Sequence, residues 1–316
     1  LPIWGLVGLS LALALSGSGL RVAVVDRVPM TTGARAADER HLALSEVTCR
    51  VLENLGVLPA LGSDAEPIRA IHVSSAGEFG ATRWAAGDAG RSRFGMVVPA
   101  RRLLQALQQA VLARSDLRVL APAAVVDARI DADGVHATVA SDGAQSQSLR
   151  ARLLVIADGV DSALRDAAGI GTERHDYQRS AICCALSPER DHQGTAFERF
   201  TRSGPVALLP QAFGRCGAIQ VVDNQQLEGL MSLGDDDYLR QLQGAVASCS
   251  LSDDGLARAA RTLQILEGCL ADAGRRPLAE WVESAWLRLD GPASCYTADE
   301  LANARVFFTA LQAYDS

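Results

Sequence analysis

The hydrophobic pattern changes period several times along the chain, and the changes mark its elements. Residues 5–16 are rich in Leu and Ala with small residues between them and read as a helix. Arg21-Val-Ala-Val-Val-Asp26 is a continuous β-branched run, the pattern of a buried parallel strand. Residues 46–58 read as a helix closing at Gly56, and 70–74 as a strand. Residues 101–114 are amphipathic, with Leu103, Leu104, Leu107, Val111 and Leu112 assigned to the buried side. Beyond Leu117 the pattern turns to strands. Residues 124–130 and 135–140 flank Asp131-Ala-Asp-Gly134, a hairpin signature. Residues 153–156 read as a further buried strand and 162–168 as a helix. Strand-like runs follow at 180–186, 197–201, 206–209 and 216–222, between polar or Gly/Pro breaks. From about Asp236 helical patterns dominate: 238–246, 254–273, 277–289 and 298–311. This order predicts an α/β protein in which a βαβ domain carries an antiparallel sheet and ends in helices.

Composition narrows what such a chain does. Its 316 residues suit one large or two moderate domains, and 48% apolar residues can fill a core. The 30 basic residues are all Arg, against 37 acidic, for a net charge of −7. No chain-wide basic footprint for nucleic acid exists, and no Lys is present for a Schiff base or a phosphate-binding loop. Seven Cys and five His lack metal-ligand spacing, so the thiols read as buried in a reducing cytoplasm. Residues 1–15 resemble a signal peptide in apolarity. They lack a basic start, however, and run on into the first core strand. Leu1 stands where Met would, and the strand before Gly5 is cut to a few residues, so the first strand reads as truncated.

Three motifs carry candidate chemistry. In Ile3-Trp4-Gly5-Leu6-Val7-Gly8, followed by Asp26, two of three fingerprint glycines and the acid of a dinucleotide site stand at the expected spacing. The glycines let backbone approach a pyrophosphate, the helix N-terminus stabilises its charge, and the acid accepts from ribose hydroxyls. A tight helix–strand contact without ligand explains the glycines equally. In Ala157-Asp158-Gly159, before Ser162, an acid and a glycine open a helix. Asp158 can accept from cofactor hydroxyls, although an ordinary Asp-Gly turn is the plain alternative. Arg40 lies between the second strand and the next helix, and Arg101 at the start of the amphipathic helix. Either can meet a phosphate or a flavin edge, or simply be solvated. His72, within a strand, reads as structural. No Gly-x-Ser-x-Gly elbow or triad is present.

Taken in order, these segments resemble the aromatic-ring flavoprotein hydroxylases, and within them the ubiquinone-biosynthesis group of the 2-octaprenyl-6-methoxyphenol hydroxylase type. The series is Gly5-Leu-Val-Gly8-Leu-Ser-Leu-Ala-Leu-Ala, Arg21 to Asp26, Glu39-Arg40-His-Leu-Ala-Leu-Ser45 and Ile71-His-Val-Ser74. Phe94-Gly-Met-Val-Val98 before Arg101 follows, then Ala157-Asp158-Gly159 through Arg165. The most discriminating block is Ala196-Phe-Glu-Arg-Phe-Thr201 with Gly204-Pro-Val-Ala-Leu-Leu-Pro210. The resemblance spans about residues 1–245. It implies an incomplete para-hydroxybenzoate-hydroxylase-like fold: a Rossmann-like FAD/NAD(P)-binding domain over 1–177, a substrate-domain sheet over 178–245, and a helical tail over 246–316.

The resemblance also implies FAD as cofactor, NAD(P)H as reductant, and hydroxylation of a polyprenylated phenol by O2. Gly5, Gly8 and Asp26 would face the ADP half, Arg40 and Arg101 would lie near the cofactor, and Asp158 and Gly159 match a motif linked to FAD and NAD(P)H. A cytoplasmic location is implied, with the inner membrane surface or a ubiquinone-biosynthesis complex as the family's options for association. Four departures stand out. Ile3 replaces a fingerprint Gly, Ile156 replaces the Gly before Ala-Asp-Gly, and Gln220 stands where relatives often have Trp. After Val246 nothing matches the family's second flavin motif, Gly-Asp/Asn-Ala-Ala-His with a later Gly-Gln-Gly. Residues 252–313 instead resemble an internal helical segment of RecB/UvrD-like helicases, through Arg261-Thr-Leu-Gln-Ile-Leu, 277–289 and Gly291-Pro-Ala. An unrelated amphipathic tail with Trp281 and Trp286 as core residues explains it as well. Catalytic turnover is therefore open, and an inactive flavoprotein fragment fused to helicase-like helices is the alternative reading.

Overall fold

The computed structural model describes residues 5–30, 40–78, 81–141 and 145–246, and in the C-terminal part 264–265, 268–269, 271, 275–289, 291–294 and 298–314. Leu1–Ser74 with Ala81–Val246 make one compact unit, and Ser75–Gly80 with Ala247–Ser316 make a second. In the first unit the order is α1 (Leu6–Leu15), β1 (Val22–Val25), β2 (His41–Ser45), α2 (Glu46–Asn54), β3 (Glu66–Ile68), β4 (Ala70–Ser75), β5 (Ala81–Ala85), β6 (Gly95–Pro99) and α3 (Ala100–Leu112). Then come β7 (Leu117–Leu120), β8 (Ala124–Asp131), β9 (Gly134–Ala140), β10 (Gln147–Ala151), α4 (Ala163–Ala167), β11 (Arg179–Leu186), β12 (Thr195–Thr201), β13 (Gly204–Gln211), β14 (Arg215–Asp223), α5 (Asn224–Met231) and α6 (Asp235–Val246).

The core forms where the helical periods meet. Leu9, Ala12 and Leu13 of α1 and Leu103, Leu107 and Val111 of α3 are buried in one cluster with Cys49 and Leu52 of α2. These spacings put each set on one stripe, so the helices bury apolar surface while their other faces stay wet. Local signals fix the ends. The Ser45 hydroxyl accepts from the Thr48 N–H at 3.2 Å and caps α2. β1 pairs in parallel with β7, Val22 opposite Leu117 and Val25 opposite Leu120. β2, β6 and β3 form a small antiparallel sheet. β8, β9 and β10 form another, turning at Asp131 and Gly134 as the hairpin signature predicts.

The large sheet runs β11-β14-β13-β12-β4-β5. It therefore takes in two strands from the first third of the chain as well as the four read at 180–222. One face is covered by α6: Leu242 packs with Val206 and Ala218, beside Tyr238, Cys184, Leu186 and Leu208. The Tyr238 hydroxyl donates to Gln220 Oε1 at 3.0 Å, and burial pushes that phenol up to about 12. Gln220 is thus a partnered polar group inside the α6–sheet contact.

Within the second unit α7 (Leu278–Arg288) packs on α8 (Ala298–Tyr314). Trp281 donates its indole N–H to the Cys269 carbonyl at 2.7 Å, and Trp286 meets Phe308 with ring centres 5.2 Å apart. Both Trp are half-buried. Most of the helix read at 254–273 lies outside the described residues. No helix among the described residues is long and apolar enough to cross a membrane.

Several expectations are corrected. Residues 153–156 form no strand, and Leu153 and Val155 are 73% and 51% exposed. The β-branched pattern is there, but among the described residues no strand pairs with it. Leu112 is exposed: it is the last residue of α3 and falls off the buried stripe. The helix read to 58 stops at Asn54, because Gly56 is left-handed and Pro59 follows. Cys183 is exposed, where all thiols were read as buried. β2, β3, β5, β6, β10 and α5 were not read. Most are short, and β2 is hidden by the charged segment before it.

Candidate functional site

α1 starts at a glycine whose backbone no other residue adopts easily. Gly5 has φ +92° and leads into the helix, with its carbonyl accepting from Leu9 N–H at 2.8 Å. A methyl group there would lie 3.4 Å from Leu104 Cδ1 of α3 and 3.7 Å from Asp26 Oδ2. The fingerprint glycine and the fingerprint acid therefore face each other. Asp26 is fixed from three sides. Its N–H donates to the Leu120 carbonyl at 3.1 Å, its carbonyl accepts from Ala123 N–H at 2.7 Å, and its Oδ1 accepts from Val28 N–H at 2.9 Å. Oδ2, the oxygen nearer Gly5, takes no part in that turn.

Gly8 brings in the second motif. A methyl group at Gly8 would touch Ala157 Cβ at 3.5 Å. The first turn of α1 thus lies against Ala157, the residue before Asp158 and Gly159. Gly159 is left-handed at φ +100°, and the Ser162 hydroxyl caps α4 by accepting from Arg165 N–H at 3.0 Å. Asp158 Oδ1 is buried and has no hydrogen-bond partner. A buried acceptor left unsatisfied costs about 1–3 kcal/mol, so it is retained where a ligand supplies the donor.

The two arginines come from other elements. His41 of β2 pairs with Pro99 of β6, and the Arg40 carbonyl accepts from Ala100 N–H at 2.9 Å. Arg40 is therefore held beside the residue preceding Arg101. Arg101 in turn stands one helical turn before Leu104, the residue against Gly5. Arg101 is exposed and Arg40 half-buried. The segments that carry these seven residues are tied to α1 by neighbours: Asp26 and Leu104, three residues after Arg101, lie near Gly5, and Ala157, before Asp158 and Gly159, lies near Gly8. What sequence reasoning missed is the pairing of β2 with β6 that ties Arg40 to Arg101. Alternation in residues 41–45 was its signal.

These residues fit the ADP half of a flavin dinucleotide. The open N–H groups of the first α1 turn and the helix dipole suit a pyrophosphate, Asp26 suits ribose hydroxyls, and the orphan Asp158 oxygen suits a hydroxyl donor. Sequence comparison meets the geometry here. The family model described as "FAD binding domain" matches residues 4–207. The chain belongs to the FAD-binding domain family.

Relatives within it carry ubiquinone names. The chain is 35% identical over 240 residues to ubiquinone hydroxylase UbiL of Rhodospirillum rubrum, covering 76% of this chain and 55% of that protein. It is 29% identical over 210 residues to 3-demethoxyubiquinol 3-hydroxylase of Escherichia coli, covering 65% of this chain and 52% of that one. It thus spans about half the length of the curated relatives it matches. Among solved structures it resembles PqsL, a probable FAD-dependent monooxygenase from Pseudomonas aeruginosa. That match has a TM-score of 0.64, 17% identity, and covers 90% of this chain and 88% of that one. The likeness is one of fold, the FAD-dependent monooxygenase fold, and its coverage exceeds what residues 1–246 alone supply.

Proposed function

We propose that this chain is an FAD-dependent monooxygenase that hydroxylates a polyprenylated phenol in ubiquinone biosynthesis, using NAD(P)H and O2. The unpartnered, buried Asp158 oxygen, one residue after the Ala157 that lies against Gly8, is the observation that carries the reading. A buried acceptor without a partner suits a donor supplied by a bound ligand, and the family is named for FAD. When bound, flavin supplies electron transfer from the nicotinamide and activation of O2. The chain's own residues do the rest. The α1 N-terminus and Gly5 hold the pyrophosphate, Asp26 and Asp158 accept from hydroxyls, and Arg40 and Arg101 line the cofactor. The half-buried sheet beyond them excludes water from the reacting ring. Peripheral contact with the inner membrane or a biosynthetic complex belongs to the same reading, since a polyprenylated phenol resides in lipid.

One sequence observation favours a second reading. Residues 247–316 contain no match to the family's second flavin motif. An inactive flavoprotein fragment joined to a helicase-like helical segment would have that property. The two separate on one sample. A turning-over enzyme shows flavin bands that NADPH bleaches, faster with a prenylphenol present, and converts that phenol to a catechol detectable by mass. The fragment binds flavin or nothing and leaves the phenol unchanged.

A further inference from the structure

The large sheet has two faces, and strand register separates them. Cys184, Ala218, Leu208 and Phe197 stand in one cross-strand row. Cys184, Ala218 and Leu208 lie in the cluster under α6. Side chains alternate along a strand, so the neighbouring row points the other way. That row is Cys183, Ile219, Ala207 and Glu198. Cys183 is exposed, and the other three are half-buried. Glu198 is its one charged member. β13, which carries Ala207, also lies against β6, the strand that leads into Arg101.

Glu198 is in the wrong surroundings for a purely structural carboxylate. Burial raises its pKa, and neither a cation nor a hydrogen-bond donor among the described residues offsets it. Its neighbour Arg199 falls on the other face by strand alternation, with Nη1 donating to Ser74 Oγ at 3.2 Å and Nε buried without a partner, so it does not pair with Glu198. A carboxyl kept in an apolar row without a partner costs stability, which is tolerable where a ligand completes it. Across β14 and β13 the row offers apolar contact beside a single carboxylate on β12, an inner strand with β4 on its other side. That combination suits a ring with an apolar substituent and one hydroxyl.

We propose that Glu198 is a substrate-binding residue: its carboxylate accepts the hydrogen bond of the phenol hydroxyl, and Ala207 and Ile219 pack on the ring. This rests on the hydroxylase reading, deepens it by naming the group that orients the phenol, and assigns the sheet face opposite α6 as the substrate face. The interaction is a hydrogen bond alone, so no atom or electron is transferred in it.

The test is calorimetric binding of 2-geranylphenol and of geranylbenzene, which lacks the hydroxyl, to the full chain and to Glu198→Gln and Glu198→Ala. Flavin content of each sample is read by absorbance. The expected result is that either substitution weakens 2-geranylphenol by about tenfold or more, the scale of a hydrogen bond to a charged group, and leaves geranylbenzene unchanged. Equal weakening of both ligands, no weakening, or no binding of 2-geranylphenol by the native chain would each overturn the proposal. Flavin content reports separately on the cofactor. A Glu198-dependent phenol site in a chain that takes up no FAD would uphold this inference and defeat the monooxygenase reading. Normal flavin with Glu198-independent phenol binding would do the reverse.

Discussion

Gly5 and Gly8 do different jobs, and substitution should tell them apart. At φ +92°, Gly5→Ala forces a left-handed alanine, which costs about 1–2 kcal/mol. It also puts a methyl group between Asp26 and Leu104. The expected outcome is a lower Tm together with loss of bound flavin. Gly8→Ala makes an ordinary contact with Ala157, so near-native stability and flavin content are expected. Gly8→Val, with two more carbons at that seam, should displace the Asp158 segment and lose flavin while the chain still folds by circular dichroism. These residues were legible in the sequence because their spacing follows from the chemistry of a pyrophosphate on a helix end. The burial of Asp158 was not legible. Its neighbour Ala157 meets α1 at Gly8, a contact between segments about 150 positions apart that no local pattern encodes. Glu198 was legible only as part of a familiar block, since its isolation on one face needs the register of four strands.

At the scale of elements, α2 and the approach to β6 are joined by Arg93, which donates to Glu46 at 2.8 Å and to Glu53 at 2.7 Å. The Arg93 hydrogen bond is the main cause that holds the Glu46 carboxyl below its ordinary 4.5. A carboxyl depressed in the fold contributes stability that is full above its unfolded value and is lost as pH falls through the folded one. Arg93→Ala should cost about 1 kcal/mol at neutral pH. In urea melts the gap between Arg93→Ala and the native chain should close as pH falls below 4.5. A gap that stays constant would show that Glu46 is not the partner that matters. The misread strand at 153–156 makes the opposite point. Its apolar run was taken as burial, yet Leu153 and Val155 face solvent. Leu153→Ser is therefore expected to change stability by less than about 0.5 kcal/mol, against about 2–5 kcal/mol for Leu107→Ala in the core. The period of α3 was read well because that helix carries its own apolar stripe. The short strands β3 and β10 were missed because a strand of three to five residues becomes recognisable only beside its partner.

For the whole molecule, the FAD-binding family and the monooxygenase fold follow from residues 4–207 and from the likeness to PqsL. The order of motifs made the first part readable, and Asp26, Leu104 and Ala157 around the first turn of α1 draw its motifs together. Residues 247–316 were the least readable, since amphipathic helices with scattered Trp fit many folds. The ubiquinone names belong to relatives of which the match covers about half the length, so the chain's own flavin binding is the step on which the rest depends. Titration of the purified chain with FAD, followed by quenching of flavin fluorescence, tests it most directly. One FAD per chain is expected, weakened at least tenfold by Asp158→Ala, while the flavin-free variant unfolds about 1 kcal/mol later than native because an unsatisfied buried oxygen is gone. Failure of the native chain to quench FAD, or equal affinity in Asp158→Ala, would contradict the site described here.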